Sequence, residues 1–181
     1  MSDSGIRSVR EIGANIAAWT AEESLPVIRG TDACPAGPYF PTNSTNDASV
    51  GDVAWSNPSN SNSSNDSYAT VTLTALQTSQ RIKAVGFMPS GYGPGANGFY
   101  IPSDQQIDGI LVEVEGKTIA LGVDVIVRLV KAGTVGSTTQ TANWTSTESF
   151  RSYGGSTYLW GDTWTPDDIN NGNFGCAVRV E

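Results

Sequence analysis

Apolar side chains recur at every second position in run after run of this sequence. Val123, Val125, Val127 and Leu129 alternate with Asp124 and Arg128, and Ile110, Val112 and Val114 alternate with Glu113 and Glu115. Tyr68 to Thr74 sets threonines opposite Ala69, Val71 and Leu73. Gln80 to Met88 reads as a further strand, and the stretch through Phe174, Cys176, Val178 and Val180 turns Arg179 and Glu181 outward. Successive side chains of a strand point to opposite faces, so such runs bury one face and wet the other. Turn formers separate them, notably Pro89-Ser90-Gly91-Tyr92-Gly93-Pro94-Gly95 and Arg151-Ser152-Tyr153-Gly154-Gly155. With no alternation of strands and helices, the pattern predicts an all-β fold, an antiparallel two-sheet β-sandwich with jelly-roll-like connections. Composition agrees. Only 15% of the 181 residues are charged, against about 25% in an average domain, and Ser, Thr, Asn and 20 glycines fill the difference.

The first fifty residues lack this alternation. Ser8-Val9-Arg10-Glu11 has the form of a capping box, in which a serine hydroxyl and a glutamate satisfy each other's backbone N–H groups. Val9, Ile12, Ile16 and Trp19 follow at helical spacing, which predicts a short helix at about 9–20, weakened by Gly13 and closed off before Pro26. Pro35, Gly37, Pro38 and Pro41 then suit extended chain, with Leu25 and Ile28 as anchors. The expected organisation is an N-terminal arm, residues 1–50, and a β-sandwich domain, residues 51–181. The Ser/Asn-rich stretch from Ser56 to Ser67 reads as a surface loop.

Several function classes fall to simple counts. The chain has no histidine, which removes Ser-His-Asp and Cys-His nucleophilic systems and histidine-containing zinc sites. Cys34 and Cys176 are too few for an all-cysteine zinc site and leave one disulfide or two free thiols. A net charge of −8 argues against nucleic acid, whose binders carry a positive footprint. No apolar run approaches the roughly 18 residues of a membrane span, and the first residues do not read as a signal peptide.

An ordered set of short pieces runs from residue 52 to residue 175. It comprises Asp52-Val53-Ala54-Trp55-Ser56-Asn57-Pro58, Asp66-Ser67-Tyr68-Ala69-Thr70, Phe99-Tyr100-Ile101-Pro102 and Ile107-Asp108-Gly109-Ile110-Leu111-Val112-Glu113-Val114. Tyr153-Gly154-Gly155, Leu159-Trp160-Gly161, Trp164-Thr165-Pro166-Asp167-Asp168-Ile169-Asn170 and Phe174-Gly175 complete it. Together they resemble a family of tailed-bacteriophage virion proteins and related phage-borne β-sandwich domains. The resemblance implies a non-enzymatic virion module. Its first expectation is a capsid decoration (cement) protein on the outer surface of the head, docked on the major capsid protein and grouped with copies of itself, by resemblance a homotrimer. Its alternative is a tail fibre or tail-tip adhesin that recognises host surface glycan.

The candidate residues are weighed on chemistry. Asp167 and Asp168 are adjacent, whereas a glycosidase pair faces across a cleft about 5–10 Å wide. A cap on the turn after Thr165-Pro166 fits them better. The oxygen-rich loop Asn60 to Ser67, or Asp104 with Asp108, supplies no complete calcium ligand set. No catalytic residue, metal site or cofactor is therefore expected. Trp144, Tyr153, Tyr158, Trp160 and Trp164 are a candidate glycan platform or subunit interface, with a place in the core as the competing role. In the arm, Val9, Ile12, Ile16, Trp19, Leu25 and Ile28 are the expected partner-binding residues, laid apolar side down on a neighbouring protein.

Overall fold

The computed structural model describes residues 2–15, as backbone, and residues 39–87, 101–119 and 122–181. Among the described residues, ten strands form two antiparallel sheets: β1 (Ser2–Asn15), β2 (Asn43–Asp47), β3 (Ala69–Leu73), β4 (Arg81–Val85), β5 (Gly109–Thr118), β6 (Val123–Lys131), β7 (Thr134–Val135), β8 (Gln140–Trp144), β9 (Ser149–Gly155) and β10 (Gly175–Val180). One sheet runs β3-β1-β5-β9; the other runs β2-β4-β10-β6-β7, with β8 also on β6. From β1 to β6 the chain changes sheet at every step, the habit of a jelly-roll-like sandwich.

The alternation read in the sequence faces the core as expected. Ile110, Val112 and Val114 of β5 are fully buried, opposite Val125, Val127 and Leu129 of β6 and Cys176 and Val178 of β10. Burial pushes the Cys176 thiol far up, so it serves as a small core hydrophobe. Two readings change. Arg151 to Gly155, expected as a turn, belongs to β9 and pairs with β5 from Ile110↔Gly155 to Val114↔Arg151. In place of the helix expected at about 9–20, residues 9–15 run in β1, with Val9 opposite Val114 and Ile12 opposite Val112. Strand β5 offers this stretch a backbone ladder, and Gly13 costs the helix about 1 kcal/mol; tertiary pairing overrides the local helical spacing. Residues 16–20, and with them Ile16 and Trp19, lie outside the described residues, as do Leu25 and Ile28.

The registers fix two ends. Ser2 pairs with Leu73 and Ser4 with Thr118, so the ends of β3 and β5 lie together with Val180, whose carbonyl accepts from the Ser79 N–H at 2.9 Å. At the other end lie Gly109, Gly155, Lys131 and Phe174.

Candidate functional site

The aromatic residues singled out in the sequence gather at or beside the core. Trp144, Tyr153, Trp160 and Trp164 are 3–8% exposed, and only Tyr158, at 38%, shows a substantial surface. Each indole N–H is taken up inside the molecule. Trp144 Nε1 donates to Tyr153 Oη at 2.9 Å, Trp160 Nε1 to the Ile110 carbonyl at 2.9 Å, and Trp164 Nε1 to the Leu159 carbonyl at 2.9 Å. Trp55 does the same toward the Gln80 carbonyl at 2.7 Å. Burial pushes the Tyr153 phenol up to about 12, so it is a neutral hydrogen-bond partner at any ordinary pH. Sugar stacking needs an open ring face, and all of these rings but Tyr158 present almost none.

The pieces that run in order through the sequence meet in space. Ile101 N–H donates to Asn170 Oδ1 at 3.0 Å, and Asn170 Nδ2 returns a bond to the Ile101 carbonyl at 2.8 Å. This double bond ties the Ile-Pro piece to the Asp-Ile-Asn piece across 69 residues. Trp160 reaches Ile110 past Gly154, where a Cβ would lie 2.3 Å from the Ile110 carbonyl oxygen and 2.7 Å from Trp160 Nε1. Only glycine fits that crossing, the more so at φ 83. Trp164 packs its edge on Phe174, with ring centroids 5.6 Å apart. Next to Phe174, Gly175 presses on β4, where a Cβ would meet the Ala84 carbonyl oxygen at 1.9 Å.

A polar cluster closes this end. Helix α1 (Pro166–Ile169) begins with a capping box in which Asp168 N–H donates to Thr165 Oγ1 and Thr165 N–H donates to Asp168 Oδ2. The cap expected after Thr165-Pro166 is thus present. Lys131, at the end of β6, sits 3.2 Å from Asp168 and 3.8 Å from Asp162, donates to the Thr163 carbonyl at 2.6 Å, and lies 5.1 Å from the centre of the Trp164 ring. Burial pushes the Asp168 carboxyl up, but hydrogen bonds from Thr165 and the nearby Lys131 outweigh it and hold it below the usual range. Between Lys131, Thr138, Trp160 and Trp164 lies a cleft of about 60 Å³, room for a few waters. Its charges already satisfy one another, so the arrangement fastens a loop to a strand. Among the described residues, no group of three or more acidic or cysteine side chains could hold a metal ion.

The opposite end carries what the sequence analysis missed. Leu76 and Ile119 are the most exposed large apolar side chains among the described residues, at 102% and 66%. Leu76 stands third in the turn Thr74–Gln77 with φ 70, a place that ordinarily takes Gly or Asn. The turn holds no Gly, Pro or Asn, so nothing in its sequence marks it. Comparison with known proteins adds no relative: no protein-family model, curated protein or solved structure matches the chain.

Proposed function

We propose that this chain is a structural module of a bacteriophage virion, a decoration protein that docks on the capsid shell and reinforces it, with copies grouped on the head surface. One observation carries the reading: the pieces that resemble phage virion proteins are the ones that interlock. Ile101 with Asn170, Trp160 with Ile110 over Gly154, and Trp164 with Phe174 spend their aromatic and polar groups on holding two sheets rigid. A rigid sandwich suits mechanical work, since many small interfaces repeated over a shell add up. The adhesin alternative draws less support, because four of its five candidate rings, all but Tyr158, are buried.

Co-sedimentation with bacteriophage heads assembled without the chain tests the reading. The full chain is expected to bind the heads at saturable stoichiometry and to raise the temperature at which they release their genome. Heads that neither bind the chain nor gain thermal resistance would overturn the proposal.

A further inference from the structure

The turn Thr74–Gln77 is built without help from Leu76. Gln77 N–H donates to the Thr74 carbonyl at 3.2 Å, while Gln77 Oε1 accepts from the Thr74 N–H at 3.0 Å and from its hydroxyl at 2.7 Å. Leu76 nevertheless holds a left-handed backbone that its Cβ disfavours, and its side chain is fully exposed among the described residues. A bulky residue kept in such a conformation with no internal return points to a task outside the molecule. Ile119 follows β5 at the same end, and β3 and β5 flank β1 there. Two strand spacings put the ends of β3 and β5 about 10 Å apart.

We infer that this end, with Leu76 and Ile119 as its apolar knobs, is the face that seats on the shell, and that the shell receives it in apolar pockets set among basic side chains. The inference rests on the decoration-protein reading and adds to it the docking surface and the chemistry of its partner. The partner's charge follows from the chain's own. Acidic residues outnumber basic ones by 18 to 10, and exposed Asp52 stands beside the Leu76 turn, its carboxylate accepting from the Thr78 N–H at 3.0 Å. A second copy, or an anionic bilayer, would meet this end with charge of the same sign.

The test uses the full chain, heads lacking it, and the variants Leu76→Asn and Ile119→Asn. Asn tolerates the left-handed region, so L76N is expected to fold and to melt about 2–4 °C higher, while binding heads at least about tenfold more weakly. I119N is expected to weaken binding in the same assay. Wild-type affinity in both variants would overturn the docking surface and leave the decoration reading standing. Failure of the wild-type chain to bind heads would overturn both. An oligomer of the isolated chain that L76N dissolves, seen by sedimentation, would assign these knobs to a second copy and overturn the partner inferred here.

Discussion

Trp160, at φ 57, and Leu76, at φ 70, hold the same left-handed backbone at opposite ends of the sandwich. Around Trp160 the cost is offset within the chain. Its ring is 3% exposed, its N–H bonds the Ile110 carbonyl, and its neighbour Tyr158 stacks obliquely with centroids 5.9 Å apart. Around Leu76 the turn's own hydrogen bonds hold the backbone, and the side chain, which stands in solvent, adds nothing to them. Equal backbone strain therefore has two meanings. Where a buried ring and a hydrogen bond surround it, strain is the by-product of packing; where solvent surrounds the side chain, the strain serves the inferred contact with the shell.

The largest expected effect is at the packed end. Trp160→Ala removes a core ring and strands the Ile110 carbonyl, and should cost about 3–5 kcal/mol of unfolding free energy in urea. A loss within experimental error of zero would break the contrast from that side. A smaller effect sits beside it. Asp168→Asn should lower the urea midpoint near neutral pH by weakening the Thr165 cap and the Lys131 contact. Because the folded carboxyl titrates below its unfolded range of about 3.9, its stabilisation is present above that range and is lost as pH falls through the folded value. Wild type and D168N should therefore converge in acid, and curves that stay parallel from neutral to acid pH would contradict the assignment. The smallest effect is at the exposed end and has the opposite sign: Leu76→Asn should raise unfolding free energy by up to about 1 kcal/mol. A loss of stability there would mean that Leu76 does pack within the chain after all.

How far the sequence alone leads depends on the range of the interactions involved. Strands β5, β6 and β10 show in their alternation because one sheet face meets the core and the other meets water. The Thr165–Asp168 cap shows because its partners are three residues apart. Strand β9 hides behind Gly154 and Gly155, which read as a turn; Gly154 instead permits the close approach of Trp160 and Ile110, two residues far from each other in sequence. Strand β1 hides because residues 9–15 carry a helical spacing that pairing with β5 overrules. The aromatic cluster is visible as a cluster, but its burial is not, since that depends on where two sheets close. Leu76 gives no local signal at all: its exposure and its backbone are properties of the folded end.

The most direct measurement is an electron cryomicroscopy reconstruction of bacteriophage heads with the chain bound. The account predicts density for the sandwich on the head surface, with the turns of Leu76 and Ile119 seated on the shell and the Trp160 end turned away from that contact. Density with the Trp160 end on the shell, or heads on which the chain leaves no density, would contradict it.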